Sequence, residues 1–150
     1  MIEIRPARYD DIIDVEACLV RAREEMDFDI PEHEVPFALH NLLHQVEAGF
    51  LFIAEDAGYI VGVIALVPHH HPWNRTHKFL TNEHLFVDPD YRKGGTAKHL
   101  LDAAKARADE LNMPLRIDLI GGGDRPAKDR FMEINGFRYI GGQFLYEGGR

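Results

Sequence analysis

A pair of glycines beside a cluster of cations marks the first stretch of the chain that could bind a ligand. Residues 90–101 are DYRKGGTAKHLL, so Gly94 and Gly95 follow Arg92 and Lys93. A glycine inside a helix costs about 1 kcal/mol relative to alanine, and two in succession suggest that the backbone approaches another group closely. The flanking segments are typical of a strand before the glycines and a helix after them. Free N–H groups and the helix dipole make such a turn an anion site.

Three kinds of phosphate could occupy an anion site of this type. A P-loop requires Gly-x-x-x-x-Gly-Lys-Ser/Thr, which the sequence lacks. A dinucleotide fold requires Gly-x-Gly-x-x-Gly after the first strand of a parallel unit, whereas this turn is Gly-Gly-Thr-Ala-Lys-His and comes late in the chain. The third candidate is the pyrophosphate of coenzyme A. The pattern therefore disfavours the first two phosphates.

A carboxylate lies on the strand that precedes this turn. In the predicted strand 79–88, regular alternation places four side chains on one face: Thr81, Glu83, Leu85 and Val87. Glu83 is the ionisable residue of that set, and a carboxylate can take a proton from a reacting group directly or through a water molecule. We expect Glu83 to be either a general base or a strand carboxylate that only pairs with a neighbour. His84 is expected to point to the opposite face.

The histidines and the single cysteine could bind a metal or act as a nucleophile, but their surroundings disfavour both roles. Residues 69–71 are three consecutive histidines beside Trp73, and consecutive side chains rarely converge on one ion. His40 and His44 have the i, i+4 spacing of a helical metal pair without a third ligand nearby. Cys18 lies among apolar residues of a predicted helix and is expected in the core. We predict no metal site, and a histidine loop that is solvated or lines a substrate.

Length and composition predict one domain that spans residues 1–150. The chain is 45% hydrophobic and 28% charged, as globular proteins commonly are. Its net charge of −8 disfavours a nucleic-acid-binding surface. No apolar run approaches the roughly 20 residues that span a bilayer, and the N-terminus lacks the apolar region of a signal peptide. With a single cysteine excluding an intrachain disulfide, the expected location is cytoplasmic.

The residues discussed above must be positioned by predicted strands and helices that occur in an irregular order along the chain. The predicted strands are residues 2–7, 50–56, 59–68, 79–88 and 114–120, with one or two more in 137–147. The predicted helices are residues 9–25, 32–48, 95–112 and 124–135, the last capped by Asp124 and ended by Gly136. A hairpin is expected at Ala57-Gly58 and a loop at 69–77. An antiparallel run that leads into one βαβ crossover predicts a mixed, mostly antiparallel α/β sheet flanked by helices.

Two motifs in this element order resemble those of the GNAT superfamily of N-acetyltransferases, including short members encoded by phages and bacteria. The family signature Arg/Gln-x-x-Gly-x-Gly/Ala lies between a strand and a long helix, and residues 92–97 are RKGGTA. The preceding LFVDPDYR is similar to the family's hydrophobic-Val-x-Pro-x-Tyr-Arg run, and FMEINGF at 131–137 is similar to its second signature. The resemblance covers nearly the whole chain and implies the GNAT fold.

The resemblance also implies how the chain would hold acetyl-CoA as its cosubstrate. In the family, backbone amides of the glycine turn bind the pyrophosphate, a role that carries over to Arg92, Lys93, Gly94, Gly95, Thr96 and Ala97. Lys93 or Lys98 would add charge. The backbone of Leu85, Phe86 and Val87 would face the pantetheine arm. The family often has a catalytic carboxylate near the position of Glu83. Its usual tyrosine, which protonates the leaving thiolate, is Met132 here, so either Tyr139, Tyr146 or water serves as the donor or acid catalysis is unimportant.

The function implied is acetyl transfer to a primary amine, directly, within a ternary complex. In the family, the segment between the first two helices borders the acceptor, and here residues 24–34 contain six carboxylates and no Lys or Arg. Such a segment would attract a cationic acceptor: a small amine, a polyamine or a protein amine. Asp27, Asp29 and Trp73 are the expected acceptor contacts.

Two other functions stay open from the sequence. Met132 at the tyrosine position favours a non-catalytic GNAT module that binds coenzyme A or only another protein. The histidine loop allows a metal-dependent regulator. The expected partners are acetyl-CoA and an amine, without nucleic acid or membrane, and a homodimer stays open.

Overall fold

A five-stranded sheet is the centre of the fold, which the computed structural model describes for residues 1–121 and 123–148. The strands are β1 (Ile2–Pro6), β2 (Leu51–Asp56), β3 (Tyr59–His71), β4 (Asn74–Val87) and β5 (Leu115–Arg116). They lie side by side in chain order, and only β4 and β5 are parallel. This is the mixed, mostly antiparallel sheet that the element order predicts.

Four helices cover the two faces of this sheet and create two cores. They are α1 (Ile12–Arg23), α2 (Val35–Ala48), α3 (Thr96–Glu110) and α4 (Arg125–Ile134). One core joins α1 and α2 to the sheet and contains the fully buried Cys18, as predicted. The other core joins α3 to the opposite face, with partly buried side chains of α4 against it. Among the described residues, the helices are too short or too polar to cross a bilayer.

Residues at the helix ends confirm several predictions made from sequence. Gly49 ends α2 in the left-handed conformation at φ 70°. The Asp124 side chain accepts a hydrogen bond from Ala127 N at 3.2 Å and so caps α4. Helix α2, however, begins at Val35 and not at residue 32. The reason is that Glu34 is extended (φ −80°, ψ 94°) and the proline of the first turn is Pro36.

The long β3–β4 hairpin replaces the loop predicted at residues 69–77. Pairing continues through His69↔Phe79 and His70↔Lys78, so that only Pro72 and Trp73 connect the strands. The histidine and phenylalanine rings stabilise this extension, since the His69 and Phe79 ring centroids lie 5.8 Å apart. The other predicted hairpin is confirmed: Ala57 and Gly58 both have positive φ, 50° and 85°, as a two-residue type I′ turn requires.

The predicted C-terminal strands differ most from the structure. Strand β5 contains only Leu115 and Arg116, rather than residues 114–120, and residues 137–147 form no strand. Several aromatic and aliphatic side chains there are exposed, including Tyr139, Phe144 and Tyr146. The sequence has strand propensity, but a strand also needs a neighbour to pair with. Because β5 leaves β4 after two residue pairs, this edge offers little to pair with.

Candidate functional site

The parallel strands β4 and β5 diverge and leave a cleft in the sheet. They pair only at Leu80↔Leu115 and Thr81↔Arg116. At the next residue the Asn82 side chain bridges the gap: its Oδ1 accepts from Asp118 N at 2.7 Å and its Nδ2 donates to Asp118 O at 3.0 Å. From residue 82 to 87, no described strand pairs with the β5-facing edge of β4. Unpaired backbone groups can bind an extended ligand there, and this edge includes the predicted Leu85, Phe86 and Val87.

A bulge in β4 sets the direction of Glu83. Ala65 pairs with His84 and the adjacent Leu66 pairs with Asn82, so Glu83 is the extra residue without a partner on β3. An extra residue interrupts the alternation of a strand. Glu83 therefore contacts Gln45 of α2, whereas Leu85 and Val87 pack in the α3 core. The prediction that these three share one face is wrong for this reason.

Glu83 is held by α2 at the wall of a cavity. Gln45 Nε2 donates to Glu83 Oε2 at 2.5 Å. The cavity has a volume of about 310 Å³ and lies between α2 and the last apolar residues of β3 before the hairpin tip. A carboxylate at such a wall can accept a proton from a bound molecule. The structure thus places the predicted base beside a space that a small substrate can enter.

His84 lies on the same side of the sheet as Glu83, not on the opposite side as predicted. Its strand partner Ala65 belongs to the α1–α2 core. Burial lowers the pKa of His84; the negative charge of Glu83 opposes that shift, and His33 adds to it. His33 in turn lies 2.9 Å from Glu16 of α1, Nδ1 to Oε1. The bulge therefore gathers several titratable groups beneath α1 and α2.

The glycine turn has the geometry of an anion site at the N-terminus of α3. A short 3-10 helix (Pro89–Gly94) leads to Gly95, which is the N-cap of α3 in the left-handed conformation at φ 80° and supplies no side-chain cap. A Cβ at Gly94 would meet no atom within 4 Å. Thr96 is 1% exposed, and its hydroxyl has no hydrogen-bond partner in the part of the chain described. Free N–H groups, open space and an unpaired hydroxyl together fit a pyrophosphate.

The three cations near this turn have different surroundings. The Arg92 guanidinium donates to both carboxylate oxygens of Glu25, at 2.7 and 2.6 Å, and to Val87 O at 2.8 Å. Its side chain thus ties the turn to the end of α1 and does not face the glycines. Lys98 pairs with Asp102 at 2.6 Å. Lys93 is exposed and forms no ion pair with the described residues, which makes it the cation best placed to meet a phosphate.

The acidic segment 24–34 is less isolated than its sequence indicates. Glu25 is paired with Arg92, and Arg23 Nη2 donates to Ile30 O at 3.1 Å. From the sequence, these six carboxylates were expected to have no Lys or Arg nearby. In the folded chain Arg92 and Arg23 both contact the segment, so that expectation is wrong. Asp29 still lines a second cavity, of about 300 Å³, together with Tyr146 and Glu147. This cavity contains two carboxylates and one phenol, a set that suits a cation.

The remaining predicted residues lie outside the Glu83 cavity. Trp73 is 83% exposed at the tip of the β3–β4 hairpin. Nine residues of β4 separate it from Glu83, which at about 3.3 Å per residue is roughly 30 Å. Tyr139 is exposed in the C-terminal segment, and Met132 packs beside the α3 core. Among the described residues, no three His, Cys, Asp or Glu side chains are grouped to hold a metal ion.

Comparison with known proteins assigns the family. The family model described as an acetyltransferase (GNAT) domain matches residues 47–139. The chain belongs to the GNAT family. It is therefore an N-acetyltransferase whose acetyl donor is acetyl-CoA. The matched segment contains the bulge, the cleft and the glycine turn described above, whereas no curated protein matches the sequence.

Solved GNAT structures share the fold at low sequence identity. An acetyltransferase with acetyl-CoA from Clostridium acetobutylicum has a TM-score of 0.71 and 19% identity, covering 98% of this chain and 96% of that one. An aminoglycoside antibiotic 6'-N-acetyltransferase from Acinetobacter baumannii has a TM-score of 0.71, 16% identity and coverage of 98% and 97%. A ribosomal-protein-alanine N-acetyltransferase from Brucella melitensis has a TM-score of 0.69, 18% identity and coverage of 100% and 99%. These proteins are similar in fold over their whole length.

Two residues of the GNAT site were missed from sequence. Asn82 spans the point where β4 and β5 separate, and Gln45 holds Glu83 from α2. Asn82 adjoins Glu83 in the chain, so a polar residue in the middle of a strand was the available signal. Gln45 is 7% exposed, and a buried amide normally requires a partner. Nothing in the sequence indicates that this partner lies 38 residues away.

Proposed function

We propose that this GNAT protein transfers an acetyl group from acetyl-CoA directly to a primary amine, with Glu83 as the base. The observation that carries the proposal is the bulge, which turns the Glu83 carboxylate toward Gln45 and the cavity beside α2. Acetyl-CoA supplies a thioester whose carbonyl an amine can attack. The amine must first be neutral, and Glu83 would remove its proton directly or through a water molecule.

The proposed coenzyme contacts follow from the cleft and the turn. Gly94, Gly95, Thr96 and Ala97 would hold the pyrophosphate through backbone N–H groups, together with the backbone of Arg92 and Lys93. The charge of Lys93, with Lys98 one helical turn later, would add to the attraction. The free edge of β4 at Leu85, Phe86 and Val87 would bind the pantetheine arm.

Direct transfer in a ternary complex is favoured over a covalent acetyl-enzyme. The sequence contains no serine, and its one cysteine is fully buried in the α1–α2 core. Burial raises the pKa of Cys18 to about 11, so it is a poor nucleophile at neutral pH. The thiolate that leaves needs a proton donor, and Met132 has no proton to give. We assign this role to Tyr139, the next phenol along the chain.

The acceptor is proposed to be a cationic amine. Asp29, Tyr146 and Glu147 line the second cavity and supply negative charge near the α1–α2 connection. Asp27 lies in the same connection, whereas Trp73, roughly 30 Å from Glu83 along β4, could contact only a large acceptor such as a protein amine. A cation approaching this side of the molecule would be attracted over distances comparable to the Debye length.

The test is thiol release from acetyl-CoA with a panel of primary amines, paired with a calorimetric titration of acetyl-CoA. Glu83→Gln retains an oxygen that can accept from Gln45 but cannot take a proton, so kcat should fall about 100-fold or more. Its acetyl-CoA affinity should stay unchanged. The matched control is Glu3→Gln, which alters an exposed strand carboxylate and should leave both quantities unaltered.

Two results would contradict the proposal. Full activity of Glu83→Gln across the pH range would assign the base elsewhere. Tight acetyl-CoA binding without transfer to any amine would contradict acetyl transfer to a primary amine. Tyr139→Phe separately tests the donor, since loss of kcat without loss of acetyl-CoA affinity is expected only if the phenol protonates the thiolate.

A further inference from the structure

The cavity beside Glu83 has walls that differ sharply in chemistry from one end to the other. Five lining residues are apolar: Ala48, Phe50, Leu66, Val67 and Pro68. Helix α2 supplies the polar side with Asn41, His44 and Gln45, and Glu83 completes it. Its volume of about 310 Å³ is at the lower end for small-molecule pockets. The space therefore suits a compact molecule with one polar end.

The polar end is rich in hydrogen-bond acceptors. Gln45 Nε2 already donates to Glu83, which fixes the orientation of the amide. Gln45 is 7% exposed, and its Oε1 has no donor within the described ranges 1–121 and 123–148. A buried acceptor without a donor is unfavourable. The Glu83 carboxylate beside it is a second acceptor, so a ligand that donates hydrogen bonds could satisfy both groups.

No lysine or arginine lines the cavity within the described part of the chain. His44 is the other titratable group on its wall, and it lies 3.1 Å from His40, Nε2 to Nε2. An alkylammonium group carries three N–H donors and no acceptor. It is therefore the complement of an acceptor-rich end, and its carbon skeleton is the complement of the apolar walls.

We infer that this cavity is the acceptor pocket and that it selects primary amines with an apolar body, such as arylalkylamines. The transfer itself rests on the proposed function, but binding of the amine does not. The ammonium group would lie between Glu83 and Gln45, and the ring or chain would lie against Phe50, Val67 and Pro68. A polyamine or an aminoglycoside would place further charges or hydroxyls against apolar walls, where they find no partner. Apolar contacts in a pocket commonly discriminate by about 10–200-fold.

The experiment uses 2-phenylethylamine as the probe, with spermidine as the polycationic comparison. Binding of each amine to the full chain is measured by calorimetry without acetyl-CoA, and kcat/KM is measured with it. Wild type should prefer 2-phenylethylamine by about 10-fold or more in both. Ala48→Phe, which fills the apolar end, should lower the affinity for 2-phenylethylamine at least 10-fold and leave the acetyl-CoA affinity unchanged.

The matched control is Ala106→Phe, the same change at an exposed position of α3 outside the cavity. It should leave the binding of both amines unaltered. If circular dichroism shows that Ala48→Phe is unfolded, Val67→Phe tests the same wall from β3. Gln45→Met removes both the unpaired acceptor and the hydrogen bond to Glu83, so it should weaken 2-phenylethylamine binding while keeping a side chain of similar length.

The outcomes separate this inference from the proposed reaction. Acetylation of spermidine in preference to 2-phenylethylamine, with no effect of Ala48→Phe, would contradict the assignment of this cavity as the acceptor pocket. It would leave the proposed acetyl transfer unaffected. Specific 2-phenylethylamine binding that Ala48→Phe abolishes, without thiol release, would support the pocket and contradict the reaction. Failure of 2-phenylethylamine to bind wild type would overturn the inference outright.

Discussion

Single charged residues in this protein join elements that are distant in the chain. Arg5 of β1 is the clearest case, because its guanidinium donates to both oxygens of Asp11 at 2.8 and 2.9 Å and to Glu55 of β2. Asp11 also accepts from Arg8 N at 2.7 Å, which fixes the turn before α1. The Arg5 hydrogen bonds hold the pKa of Asp11 below its usual range. One half-buried carboxylate thus couples the start of α1 to the sheet edge.

Replacement of Asp11 by Asn should destabilise the fold in a pH-dependent manner. Loss of charge-assisted hydrogen bonds of this kind typically costs about 1–3 kcal/mol. Because folding lowers the pKa of Asp11, its stabilisation is complete above the unfolded value of about 3.9 and is lost as the pH falls through the folded value. Urea unfolding should therefore show a large difference from wild type at pH 7 that shrinks below about pH 4. The control is Asp10→Asn, an exposed neighbour, and a pH-independent difference would contradict the assignment.

At the scale of elements, β4 provides most of the site through its irregularities. The bulge turns Glu83 toward α2, and the early separation from β5 frees the adjacent edge. Continued pairing of β4 with β5 through Val87 would have closed the cleft. Regular pairing of β4 with β3 would have directed Glu83 to the α3 core. Bulges near active sites commonly redirect a side chain in this way. The N-terminus of α3 supplies the other half, with Gly95 as a cap that has no side chain.

The turn before α3 gives a direct test of the coenzyme site. Gly95→Glu should raise the acetyl-CoA dissociation constant about 100-fold or more, because it adds bulk and negative charge where the pyrophosphate would bind. A left-handed residue other than glycine also costs about 1–2 kcal/mol of stability. Gly58→Glu is the matched control, since Gly58 has a similar φ of 85° in the β2–β3 turn. Equal acetyl-CoA affinity in the two folded variants would remove the assignment.

Charge is distributed unevenly over the whole molecule, although the net value is −8. Near the glycine turn, Lys93 is exposed and has no ion-pair partner among the described residues. On the α1–α2 side, Asp29 and Glu147 line one cavity, while Glu25 is neutralised by Arg92. The cosubstrate phosphates and a cationic amine would thus meet regions of opposite charge. Such an arrangement affects how ligands approach more than how tightly the fold holds together.

Charge reversal in the acidic segment should weaken binding of the amine without weakening binding of acetyl-CoA. In the double variant Asp27→Lys/Asp29→Lys, the apparent KM for the amine should rise several-fold while the acetyl-CoA affinity changes little. The wild-type KM should also rise with salt, since the Debye length is about 8 Å at physiological ionic strength. The control Asp109→Lys/Glu133→Lys makes the same net charge change on exposed helix positions elsewhere. A KM that responds equally to both double variants, or not at all to salt, would show that residues 24–34 are only a solvated surface.

The features that the sequence determined are local ones. The glycine turn, the hairpin at Ala57-Gly58 and the caps at Asp124 and Gly136 each depend on a few adjacent residues, and all are present in the structure. The motifs at residues 92–97 and 131–137, with the order of strands and helices, were sufficient for the fold and the family. These features can be predicted from sequence because the backbone conformation of a turn and the periodic burial of a helix or strand depend on residues close together in the chain.

The direction of Glu83, the partner of Arg92 and the acceptor-rich cavity were decided only by the tertiary structure. Alternation within β4 predicts the wrong face for Glu83, because the bulge exists only in the register of β4 against β3. Arg92 looked like a phosphate ligand, yet it pairs with Glu25, 67 residues away. Gln45 and Glu83 likewise meet across 38 residues. Contacts of this kind depend on how helices pack over a twisted sheet, and no window of sequence contains both partners.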